Sequence, residues 1–138
     1  MKNLIIQKFG GSSLNTPNKL TACAKHVLRA IADGNKVIVV VSAMGDRTDE
    51  LLALAKEISK APNKRELDML LTTGERASIA LMSICLNELG VKALSLTGSQ
   101  CGILTDSSHT DAQIKDIHPK RIIEGLVNHD VLVVAGFQ

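Results

Sequence analysis

The segment Lys8-Phe9-Gly10-Gly11-Ser12-Ser13 places a lysine where a short apolar run, Leu4-Ile5-Ile6-Gln7, gives way to two glycines and two serines. Glycine lets a ligand approach the backbone closely, and amides ahead of a helix favour an anionic group. A lysine at that point suits the negative charge that spreads over a phosphoryl group in transfer. Lys8, Gly10, Gly11, Ser12 and Ser13 are therefore a candidate phosphate site, although the same residues also read as a tight strand-to-helix turn with a surface lysine. The spacing of a P-loop and that of a dinucleotide-binding glycine motif are both absent.

Two further segments carry candidate chemistry. In Ser42-Ala43-Met44-Gly45-Asp46-Arg47-Thr48, the hydroxyls of Ser42 and Thr48 can bind a carboxylate or phosphate, and Thr48 equally suits a helix N-cap before Leu51 and Leu52. In Thr72-Thr73-Gly74-Glu75-Arg76, Glu75 beside a helix-interior glycine can face a substrate ammonium, or lie solvated and paired with Arg76. His109, Asp111 and His118, with Ser107 and Ser108, lack metal-ligand or triad spacing and read as a solvated loop, so no metal site is expected. Cys23, Cys85 and Cys101 show no CxxC spacing and read as small buried hydrophobes of a reducing compartment. The first apolar run is too short for a signal peptide, and no unbroken apolar run reaches membrane-spanning length. A cytoplasmic protein without a membrane partner is expected.

The elements that would position these residues follow from periodicity. Residues 4–7, 36–41, 92–96 and 130–135 read as strands. The unalternating β-branched run Val37-Ile38-Val39-Val40-Val41 marks a strand covered on both faces. Helical spacing covers residues 17 to about 33, with Thr16 as cap and Gly34 as stop, then about 48–60, 64–89 and 119–128. Between them, residues 102–105 and 113–117 read as short β pieces around a polar connection. Strands alternating with helices predict an α/β three-layer αβα sandwich with a mostly parallel sheet. Ligands in such sheets bind beyond the carboxyl ends of the strands. Four strands here end in small-residue loops: Gly10-Gly11-Ser12-Ser13, Ser42-Ala43-Met44-Gly45, Thr97-Gly98-Ser99 and Gly136-Phe137-Gln138. A small-molecule crevice is expected where they meet, with Phe9 and Phe137, the two aromatic residues of the chain, lining it.

Composition narrows the ligand. The chain has 138 residues, a net charge of +2 without a basic run, no Trp and no Tyr. A nucleic-acid surface is excluded, because it needs a basic footprint and rings for stacking.

Taken in order, these motifs, together with Leu70-Leu71 before Thr72 and Gln100 after Ser99, resemble the N-terminal part of the catalytic domain of aspartate kinases, members of the amino acid kinase family. The resemblance spans essentially the whole chain. It implies transfer of the ATP γ-phosphoryl group, with Mg2+ carried by the nucleotide, to the β-carboxylate of L-aspartate, at the entry to lysine, threonine and methionine synthesis. By resemblance, Lys8 is the catalytic residue that stabilises the transferring group. Phe9, Gly10, Gly11, Ser12, Ser13 and Ser42 line the phosphate or ATP site, and Thr48 and Glu75 bind the substrate. The family pattern continues past Gly-Phe-Gln into an ATP-binding half and ACT regulatory domains that these residues do not contain. The expectation is a portion of a larger catalytic domain, inactive alone and homo-oligomeric when full-length. The alternatives are a non-catalytic binding module and another amino acid kinase such as acetylglutamate kinase.

Overall fold

Branched aliphatic side chains pack well on a pleated surface, and the two runs richest in them, Lys36–Val41 (β2) and Val131–Ala135 (β6), form the middle of a four-stranded sheet. The computed structural model describes residues 3–137; Gln138, the last residue of the final strand-exit motif, lies outside the described residues. Leu4–Phe9 (β1) and Ala93–Leu96 (β3) flank the central pair in the order β1-β2-β6-β3. Every pairing is parallel, with Phe9 opposite Val41, Val41 opposite Ala135 and Leu96 opposite Val134. All four carboxyl ends therefore share one edge, as the small-residue loops predict.

Pro17–Ala32 (α1) starts where expected: the Thr16 hydroxyl accepts from the Lys19 amide at 3.3 Å, and Gly34 ends the helix at φ +86°. Arg47–Ile58 (α2) begins one residue earlier than expected, with Asp46 at the cap position and no side-chain cap bond. Thr48 lies inside the first turn and is exposed, so its reading as a cap does not hold. Lys64–Glu88 (α3) runs unbroken through Gly74. By length and composition it could cross a membrane, but it is built into the core: Ile79, Met82 and Leu86 pack with α1 and the odd-numbered residues of β2 and β6.

Lys120–Asn128 (α4) lies on the opposite face of the sheet, where Ile122 and Leu126 pack against the buried Ile38, Leu132 and Val134. That cover is partial, and Leu4 and Ile6 on the edge strand remain 53% and 66% exposed. Ile103–Thr105 (β4) and Ile114–Ile117 (β5) form a separate antiparallel hairpin from the two expected β pieces. The two rings part company: Phe9 packs against the main core, and only Phe137 reaches the crevice.

Candidate functional site

A cavity of about 310 Å³ opens at the carboxyl edge of the sheet. Thr72, Glu75 and Arg76 of α3 form one side, and Thr97, Gly98 and Ser99 after β3 form another. Ile103 and Thr105 of the hairpin close a third, with Ala135 and Phe137 at the end of β6.

Glu75 is the centre of this arrangement. It is 8% exposed, and its Oε2 accepts from the Phe137 amide at 2.6 Å. The Gly136 and Ala43 amides stand near enough to favour its charged form, while the Gly136 amide donates its own hydrogen bond to the Val41 carbonyl at 2.9 Å. Burial pushes its carboxyl above the ordinary value, while these amides and the charge of Lys8 pull the other way. Its hydrogen-bond partner is the Phe137 backbone amide at the β6 exit, so the solvated pair with Arg76 is not what forms. Gly74 explains how the carboxylate gets there. A Cβ at Gly74 would stand 3.2 Å from the Ala43 Cβ and 3.4 Å from the Arg47 Cγ. The missing side chain lets α3 lie against the exit of β2, within reach of the Ala43 amide.

The glycine-serine segment folds as a 3-10 turn, Gly11–Ser13, in which Ser13 and Leu14 amides donate to Gly10 and Gly11 carbonyls at 3.0 Å. The Gly45 amide donates to the Gly11 carbonyl at 2.9 Å, and a Cβ at Gly11 would stand 2.5 Å from the Ala43 carbonyl oxygen. Only glycine allows two strand exits to meet backbone on backbone in this way. Lys19 Nζ and Cys23 Sγ hold the Ser12 and Ser13 carbonyls, each at 3.3 Å, and so fix the turn on α1.

Of the expected site residues, Glu75 lines the cavity directly. Lys8 is exposed at the end of β1, close enough for its charge to be felt by Glu75. Phe9, Gly10, Gly11, Ser12, Ser13 and Ser42 form the neighbouring exits of β1 and β2, with the Ser42 amide donating to the Phe9 carbonyl at 3.2 Å. Thr48 stands on α2 and is not among the lining residues.

Thr72, Arg76, Thr97, Ser99 and Thr105 line the crevice without having been singled out individually. The first four stand in motifs that sequence reading did mark: the signal was the helix-interior glycine beside Thr72 and Arg76, and the strand-exit position of Thr97 and Ser99. The Thr72 hydroxyl donates to the Met69 carbonyl at 2.8 Å and so turns acceptor capacity outward. The Thr97 and Ser99 hydroxyls lie 3.2 Å apart, and the Gln100 side chain accepts from the Thr97 amide at 2.9 Å, which orders that loop. Among the described residues no group of three or more His, Cys, Asp or Glu is arranged to hold a metal ion.

The amino acid kinase family model matches residues 3–138. An aspartokinase from Geobacillus stearothermophilus is 50% identical over 135 residues, which are 98% of this chain and 33% of that relative. The chain thus spans about a third of the length of the curated relatives it matches. Aspartate kinase from Synechocystis superposes with a TM-score of 0.83 at 46% identity, over 99% of this chain and 22% of that one. E. coli aspartokinase III in complex with aspartate and ADP superposes with a TM-score of 0.83 at 20% identity, over 99% of this chain and 41% of that one, a likeness of fold alone.

Proposed function

The chain belongs to the amino acid kinase family, and from that premise we propose that it forms the aspartate-binding portion of an aspartate kinase. The reaction joins a β-carboxylate oxygen of L-aspartate to the γ-phosphorus of ATP, breaks the bond to the leaving ADP oxygen, and gives 4-phospho-L-aspartate. The observation that carries this reading is that a buried carboxylate, Glu75, and a guanidinium, Arg76, both stand on the wall of one crevice. A buried carboxylate, helped by the Thr72 oxygen, accepts the substrate ammonium. The guanidinium and the Thr97 and Ser99 hydroxyls suit substrate carboxylates. The 50% identity to an aspartokinase favours this substrate over acetylglutamate.

Lys8, at the neighbouring strand exit, is placed to offset the charge that develops on the transferring phosphoryl group. The glycine exits of β1 and β2 let phosphate oxygens approach the backbone. Mg2+ arriving with ATP supplies neutralisation of β- and γ-phosphate charge. Completing the ATP site, homo-oligomer assembly, a place in lysine, threonine and methionine synthesis and a cytoplasmic location belong to the whole protein on this reading. The 138-residue chain alone would bind without turning over.

A coupled ADP-release assay on the full-length protein tests the reading. Turnover with L-aspartate and none with N-acetylglutamate is the expected result, and the reverse would overturn it.

A further inference from the structure

The hairpin that closes the crevice is fastened at both ends. At its root, the His118 amide donates to the Gly102 carbonyl at 2.8 Å, and Gly102 adopts φ +77° in a space where a Cβ would lie 2.2 Å from the His118 oxygen. At its tip, the loop between β4 and β5 turns back onto α3. Both carboxylate oxygens of Asp68 accept from the Thr110 amide at 3.1 Å, and Oδ2 lies 3.0 Å from His109 Nδ1.

Thr110 sits at φ +69°, the non-glycine residue with positive φ among those described. A β-branched residue stays in that region only where its surroundings hold it there. The loop has its own internal order, with Asp106 Oδ1 accepting from the Ser108 and Gln113 amides at 3.1 and 3.3 Å. Asp68 therefore grips a preshaped loop rather than a loose strand of chain. It stands one helical turn before Thr72 and two before Glu75, on the same face of α3.

We propose that Asp68 is a positioning residue of the crevice: by holding His109 and Thr110 against α3, it sets where Ile103 and Thr105 stand and so how tightly the pocket closes on a small anionic amino acid. Asp68 itself is not among the lining residues and acts through the hairpin. The proposal rests on the reading of the crevice as an amino acid pocket, and its test separates the two.

Amide hydrogen exchange and calorimetry with L-aspartate are measured on the full-length protein and its variants. Asp68→Ala removes charge-assisted bonds, so exchange at Thr105 and Thr110 should speed up about tenfold or more and aspartate affinity should fall about tenfold, with β2 and β6 amides unchanged. Asp68→Asn keeps an oxygen for the Thr110 amide and should recover part of both effects. Unchanged hairpin exchange in Asp68→Ala would overturn the proposal, as would faster exchange with full aspartate affinity. A wild-type chain that takes up no aspartate, with hairpin exchange still accelerated by Asp68→Ala, would overturn the amino acid reading of the crevice and support the latch.

Discussion

Glu75 and Asp68 are two carboxylates seven residues apart on α3, and each accepts from a backbone amide of a different wall of the crevice. Glu75 holds the exit of β6 and stands where α3 packs on the exit of β2, strands whose residues are nearly all buried, and is itself 8% exposed. Asp68 ties the tip of the hairpin, and its side chain is 21% exposed. The bonds are of one chemical kind, but the donors they release differ. Truncating Glu75 would empty a buried position where α3 meets the sheet, whereas the Thr110 amide freed from Asp68 could turn to water. A hydrogen bond is worth what its partner would lose without it. The crevice thus has one fixed wall and one hung wall.

That contrast can be broken in several places. The largest effect should come from Lys8→Ala in the full-length enzyme, where turnover should fall about a hundredfold or more. The unfolding midpoint should stay in place, because Lys8 is exposed. Steady-state rates beside a urea curve would check both. Next is Glu75→Ala, which empties a buried position and frees the half-buried Phe137 amide, and should lower the unfolding free energy by about 2–3 kcal/mol, against about 1 kcal/mol for Asp68→Ala. Equal losses in urea titrations would erase the distinction between the walls. Gly11→Ala should cost about 1–3 kcal/mol, since the new Cβ meets a backbone carbonyl that cannot step aside as a flexible side chain would. A stabilised variant would mean that the exits of β1 and β2 can part.

The smallest effect concerns the thiols. Burial pushes Cys101, at the root of the hairpin, up to about 11, and pushes Cys23 up as well. The thiolate is the reactive form. Both should therefore resist alkylation at pH 8, and half-buried Cys85 should react first. Mass spectrometry after iodoacetamide would show the order. The Cys101 rate should climb only as the pH approaches the raised value. Cys101 should stay protected in Asp68→Ala, where only the tip of the hairpin is released.

Strands and helices were legible because their apolar periods are uninterrupted: Val37-Ile38-Val39-Val40-Val41 cannot bury as a surface helix, and Leu20, Cys23, Ala24 and Val27 share one helical face. Glu75 was legible because a glycine beside it inside a helix needs a reason, and that reason is a close approach. The sheet order was not legible, since nothing local says that β6 slips between β2 and β3. His109 read as solvated because its partner, Asp68, lies 41 residues earlier. Long-range polar ties leave no mark on local composition. Thr48 illustrates the reverse error, a residue whose type suits a cap but whose helix begins before it.

The position of β6 has a consequence for the order in which the chain assembles. It is the last of the described strands in sequence and yet bridges β2 to β3. Until it arrives, β1 and β2 can pair, but β3 has no neighbour among the described strands. As the chain leaves the ribosome, the two halves wait for residues 131–135 to zip them together, and neither the Glu75 knot nor the crevice exists before then. A nascent chain stopped before Val131 should therefore expose Leu94 and Leu96 to chaperones, with cooperative folding appearing only once the central strand has emerged.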